Sequence, residues 1–151
     1  MYFIIDKEIY FRPADGALWR EGAENEKRYL TLASSRLLAF FIENRGEILS
    51  RDTIFEAVWE KYGLHSSNNT LNQYISLLRR TLVDFGLGTD IIKTIPKVGF
   101  LFTTDIDVTC AKKRYLESNR AEPPALINRY KIVSLGLIFM LVIFLVMEIR
   151  R

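Results

Sequence analysis

The stretch SNNTLNQYISLLRRTL, residues 67–82, decides the fold. Leu71, Ile75, Leu78 and Leu82 recur at i, i+4, i+7 and i+11, the spacing of one buried helix face. Around the other side stand Asn68, Asn69, Asn72, Gln73, Ser76, Arg79 and Arg80, and no carboxylate lies between Lys61 and Asp84. Amides pair with adenine edges and guanidiniums with guanine or phosphate, whereas a carboxylate would repel a phosphate backbone. An ordinary solvated face is the alternative, but such faces carry glutamate as freely as lysine. The pattern suits a helix lying against double-stranded DNA.

Downstream, residues 91–95 and 100–103 read as strands, joined by Pro96, Lys97, Val98 and Gly99. Gly99 is expected to supply the positive φ of that hairpin turn. Upstream, a helix over 33–44 places Ala33, Leu37, Phe40 and Phe41 on one face, with Thr31 or Ser34 as its cap. Gly46 stands where a left-handed residue ends it. Ile48 and Leu49 suit a short strand. Ser50 then caps a second helix over 51–61, with Asp52 in its first turn and Ile54, Phe55, Val58 and Trp59 buried. Residues 2–5, 8–11, 17–20 and 28–32 alternate as antiparallel strands, with turns at Asp6-Lys7 and over 22–26. The predicted class is α+β: a winged helix-turn-helix with an N-terminal antiparallel sheet, a three-helix core and a C-terminal β-hairpin wing. In that architecture the third helix enters the major groove and the hairpin reaches flanking backbone or minor groove.

Asn68, Asn69, Asn72 and Gln73 are the candidates for base readout, although Asn68 or Asn69 could cap the helix instead. Ser76 shares their side. Arg79 is assigned to a base or phosphate and Arg80 to phosphate, since both cannot face the duplex squarely. Trp59, Phe40 and Phe41 are core. His65 is a lone loop histidine, and Cys110 reads as an inert linker thiol, with palmitoylation or an intermolecular disulfide as alternatives. A single cysteine excludes an internal disulfide and fits a reducing compartment. No Cys/His pair, acid dyad, glycine-rich phosphate loop or metal-ligand cluster is present, so neither an enzyme nor a metal or cofactor is expected.

The 151 residues carry a net charge of +3, unevenly distributed. Residues 1–108 hold 13 Lys/Arg and 15 Asp/Glu, whereas residues 109–131 hold six and two. A slightly acidic domain binds DNA weakly as a monomer, because non-specific affinity scales with the phosphates neutralised. Residues 108–130 read as a basic linker containing Lys112, Lys113, Arg114, Pro123 and Pro124. Sixteen uncharged residues follow, IVSLGLIFMLVIFLVM at 132–147. They span about 24 Å as a helix, and adding Tyr130, Lys131, Glu148 and Ile149 brings the length to that of a membrane crossing. A single transmembrane helix over 131–149 is therefore expected, the alternative being a buried helix or dimer core. Basic residues before it and only Arg150 and Arg151 beyond it place the N-terminal domain on the cytoplasmic side. Residues 150–151 are then a short extracytoplasmic tail. No N-terminal signal peptide is read, since Asp6, Lys7 and Glu8 interrupt the first apolar run.

Three segments carry a family resemblance: LTLASSRLLAFFIENRGEILSRDTIFEAVW (30–59), TLNQYISLLRRTL (70–82) and IKTIPKVGFLF (92–102). Over about residues 1–105 the chain resembles OmpR/PhoB-type winged-helix DNA-binding domains, and among them the membrane-bound ToxR/CadC-like transcription activators. The resemblance implies residues 1–107 as the DNA-binding domain, with Lys93 and the wing-tip Lys97 among its contacts. It further implies a bacterial inner-membrane regulator, an activator, working as a homo-oligomer on DNA with a sensing partner in the membrane. Ser34 stands where many relatives carry glutamate. No receiver domain and no extracytoplasmic sensor are read, so either the chain is truncated or sensing is delegated to the partner. The competing function is a membrane-anchored winged-helix adaptor that binds another regulator rather than DNA.

Overall fold

A computed structural model of the chain describes residues 1–111. The expected span at 131–149 and the tail at 150–151 lie outside them, as does most of the linker. Among the described residues no helix is long and apolar enough to cross a membrane.

The N-terminal strands are β1 (Tyr2–Ile5), β2 (Ile9–Arg12), β3 (Ala17–Arg20) and β4 (Arg28–Tyr29). Asp6 and Lys7 turn β1 into β2 with both φ values positive, +51° and +63°, the handedness that matches the twist of paired strands. β4 stops three residues short of its expected end, because Thr31 commits the chain to helix α1 (Leu32–Glu43). Thr31 Oγ1 accepts from the Ser34 amide at 3.3 Å, and its hydroxyl donates to Ser34 Oγ at 3.0 Å. The cap thus closes between two hydroxyl residues, Thr31 and Ser34, with no carboxylate in the first turn.

Strand β5 (Ile48–Ser50) leads directly into α2 (Arg51–Val58), capped by Ser50. This helix ends three residues earlier than expected and passes into a 3₁₀ turn, Glu60–Tyr62. The buried Trp59 indole sits between Phe55 and Tyr74, with ring centroids at 6.0 and 5.7 Å, and its backbone leaves helical angles there. The longest helix is α3 (Asn68–Asp84), followed by the wing strands β6 (Ile92–Ile95) and β7 (Gly99–Phe102).

A final strand, β8 (Val108–Ala111), was not expected, since these residues read as the start of the linker. β8 pairs antiparallel with β1, Ile5 opposite Val108 and Tyr2 opposite Ala111. It covers what would otherwise be an unpaired edge of β1. The sheet order is β4-β3-β2-β1-β8, and a second sheet runs β5-β7-β6.

Phe3, Ile5, Phe11 and Leu18 from the first sheet, Leu37, Phe41 and Ile54 from α1 and α2, the α3 stripe, and Phe100 and Phe102 from β7 form one core. The opposite face of the first sheet is also apolar, with Tyr2, Ile4, Tyr10, Ala17 and Trp19 in a second cluster.

The wing turn differs from expectation. Its positive φ belongs to Lys97 (+62°), which follows Pro96, and the Val98 amide returns to the Ile95 carbonyl at 3.1 Å. Proline then a left-handed residue is the type II pattern. Gly99 is required for a different reason. It lies opposite Ser50, and a Cβ built on it would stand 1.9 Å from the Leu49 carbonyl oxygen.

Candidate nucleic-acid interface

α3 begins at Ser67, whose Oγ accepts from the Thr70 amide at 3.2 Å; neither Asn68 nor Asn69 is the cap. Leu71, Ile75, Leu78 and Leu82 are all buried, so the helix cannot roll without exposing its stripe. That constraint turns Asn69, Asn72, Gln73, Ser76, Leu77 and Arg80 outward along one shallow surface. Their spacing of three and four keeps them on one side over three turns. No carboxylate interrupts them before Asp84, and Asp84 accepts from Arg28 Nη1 at 2.6 Å.

Four further positions reshape the expected set. Asn68 is exposed, but its Oδ1 accepts from Arg51 Nη1 at 3.1 Å, and Asn72 Oδ1 accepts from the same nitrogen at 3.2 Å. Arg80 stands exposed, whereas Arg79 is half-buried and leans on β6. Its Nε and Nη2 donate to the Ile92 carbonyl at 2.9 and 2.6 Å, and Nη2 donates to Thr94 Oγ1 at 2.8 Å. Burial pushes the Arg79 pKa below its ordinary value, against the pull of Asp90, though a guanidinium stays charged at any physiological pH. Nε and Nη2 of Arg79 are thus engaged with β6, whereas the sequence pattern assigns this side chain to a base or phosphate. Lys93 stands exposed on β6, with Nζ 3.8 Å from Asp105, a pairing too open to bind it tightly. Lys97 is exposed at the wing tip beside Val98.

Two members of this surface were missed in the sequence. Leu77 is 45% exposed in the middle of the polar face, an apolar contact of the kind that meets a thymine methyl. Its phase shows this, since position 77 falls between the buried 75 and 78 and belongs to neither. Arg51, the first residue of α2, reaches across to α3 and lies 5.0 Å over the Phe100 ring. No local pattern marks Arg51, because only the crossing of α2 and α3 brings it there. Cys110, expected in a linker, is an exposed residue of β8. Among the described residues no group of His, Cys, Asp and Glu is placed to hold a metal.

Comparison with known proteins gives a consistent neighbourhood. Residues 25–102 match the family described as "Transcriptional regulatory protein, C terminal". The chain is 29% identical over 123 residues to the cholera toxin homolog transcriptional activator of Vibrio parahaemolyticus, covering 82% of this chain and 42% of that protein. It is 28% identical over 131 residues to the cholera toxin transcriptional activator of Vibrio cholerae, covering 85% and 44%. It thus spans under half the length of these curated relatives. Among solved structures, the DNA-binding domain of Escherichia coli CadC superposes with a TM-score of 0.57 at 28% identity, over 69% of this chain and 94% of that one.

Proposed function

Because the chain belongs to the transcriptional regulatory protein C-terminal family, of OmpR/PhoB type and with ToxR and CadC among its relatives, we propose that it is a membrane-anchored transcription activator. Its winged helix reads double-stranded DNA. One observation carries this proposal: α3 buries one side completely and presents Asn69, Asn72, Gln73, Ser76, Leu77 and Arg80 on the other. A helix so oriented fits the major groove, which is about 12 Å wide. Asn69, Asn72 and Gln73 read base edges, Ser76 and Arg80 bind backbone, and Lys93 and Lys97 on the wing meet flanking phosphates. Arg51, at the N-terminal end of α2, adds a cation beside the first asparagines.

At most four such cations, Arg51, Arg80, Lys93 and Lys97, contact phosphate from one domain. Counterion release then gives a log–log salt slope of about −3.6, roughly a hundredfold loss between about 50 and 200 mM salt. Occupancy at physiological salt comes from gathering domains on adjacent half-sites, which raises the effective concentration of the second contact. The uncharged stretch at 132–147 supports anchoring in the bacterial inner membrane, with the winged helix facing the cytoplasm. An anchored chain can be gathered there as a homo-oligomer or by a sensing partner.

A gel-shift titration of the chain on genomic fragments, alone and as a forced-dimer fusion, tests it. Selective shifts by the dimer, with a slope reduced by about 0.9 per domain in Arg80→Ala, are expected. If neither form shifts DNA at low salt, DNA recognition by α3 fails and an adaptor that binds another regulator takes its place.

A further inference from the structure

Arg79 has the chemistry of a DNA contact and the geometry of a strut. Its fork is shared between the Ile92 carbonyl and the Thr94 hydroxyl, both on β6. β6 is the outer strand of its sheet, with β7 on one side only. Carbonyls alternate in direction along a strand. The Ile91 carbonyl accepts from the Thr103 amide at 2.9 Å, so that of Ile92 points to the unpaired edge, where Arg79 meets it. A planar guanidinium holds two acceptors from one rigid fork, whereas an ammonium is a compact charge on a flexible stem without that fixed geometry.

The position of this strut matters for the wing tip. Lys97 lies five residues beyond Ile92, about 16 Å along an extended strand. A tilt of about 15° at Ile92 would move Lys97 by about 4 Å, more than the tolerance of a hydrogen bond or a close ion pair. The outward face of α3 and the wing tip can touch one duplex together only if this angle is held.

We infer that Arg79 is a positioning residue that fixes the wing against the recognition helix and does not itself touch the nucleic acid. The inference rests on α3 being the DNA-facing helix. It divides the labour of adjacent arginines: Arg80 binds the duplex, and Arg79 sets where Lys97 lands.

The test uses the full chain and a duplex selected by it from a random-sequence pool. Affinities are measured for wild type, Lys97→Ala, Arg79→Ala, Arg79→Lys, Thr94→Val and the Arg79→Ala/Lys97→Ala double variant. Lys97→Ala should weaken the wild type on the order of fivefold. Arg79→Ala should weaken it at least as much, and Lys97→Ala should cost nothing further in that background. Arg79→Lys keeps the charge without the fork and should behave as Arg79→Ala, with Thr94→Val intermediate. Independent, multiplying losses in the double variant would overturn the inference, as would wild-type affinity in Arg79→Lys, because either assigns Arg79 to the duplex directly. A second readout needs no DNA. Amide exchange through β6 and β7 should quicken on the order of tenfold in Arg79→Ala and in Arg79→Lys, while α3 amides keep their protection. Unchanged exchange in the wing refutes the strut. If the wild type selects no duplex, the DNA-binding proposal itself has failed, and amide exchange alone decides the role of Arg79.

Discussion

Replacing Gly99 by Ala should be among the most damaging single-methyl changes in the domain. A Cβ there meets the Leu49 oxygen at 1.9 Å, the Leu49 carbonyl carbon at 2.9 Å and Ser50 Cα at 3.0 Å, all backbone atoms that cannot rotate away. Relieving the oxygen contact requires β7 to move from β5 by at least about an ångström, which carries a hydrogen bond of about 2.9 Å past its useful range. The pairs Ser50–Gly99 and Leu49–Phe100 are then lost or bent, and Leu49 and Phe100 leave a tightly packed site. Two backbone hydrogen bonds at about 1 kcal/mol each, plus part of the packing of two buried side chains, give a loss of about 3 kcal/mol. That corresponds to a fall in Tm of roughly 13 °C for a domain of this size. Urea unfolding followed by tryptophan fluorescence measures it, since Trp19 and Trp59 are both buried. Gly88→Ala is the internal control: its φ is −66° and nothing lies within reach of a Cβ, so a change under about 0.5 kcal/mol is expected. Gly99→Asn separates the two explanations for the glycine. Asparagine tolerates a left-handed backbone but not a backbone collision, so it should fail like alanine. A wild-type-like Gly99→Asn, or a Gly99→Ala loss under about 1 kcal/mol, would refute the close-approach account. Lys97→Gly should move the other way, gaining up to about 1 kcal/mol from relief of the left-handed lysine while weakening DNA binding.

Ser67→Ala should cost about 1 kcal/mol by uncapping α3, whereas Ser67→Asp should keep the cap and the Tm yet weaken DNA binding by placing a carboxylate beside the duplex. Paired melting and gel-shift curves separate these effects. Leu77→Ala should leave stability within about 0.5 kcal/mol, because the side chain is half exposed, while relaxing a thymine preference at one position of a selected site by about 1 kcal/mol. An unchanged base preference would remove Leu77 from the interface. The Arg12 guanidinium holds the Asp15 carboxyl below its ordinary pKa. A depressed pKa contributes stability above the ordinary carboxylate range that is lost as pH falls through the lowered value. The pair is about one-third exposed, so the effect is small: Asp15→Asn should flatten the acid limb of Tm against pH and leave the neutral region nearly unchanged.

The sequence by itself determined the helices and the face of α3. Leu71, Ile75, Leu78 and Leu82 repeat at the helical period, and burying an apolar stripe fixes the rotation of every other residue on that helix. The cap at Ser50 is legible for the same reason, and Thr31 is one of two candidates for α1, since a hydroxyl three residues before its amide is a local device. Tertiary structure decided whatever depends on residues far apart in the chain. Gly99 is glycine because Leu49, fifty residues earlier, lies against it. Val108–Ala111 is a strand because β1 offers it an edge. Arg79 and Arg80 are neighbours of the same type in different surroundings, and only the placement of β6 tells them apart. Periodicity records which side of an element faces inward; it carries no information about which partner waits there.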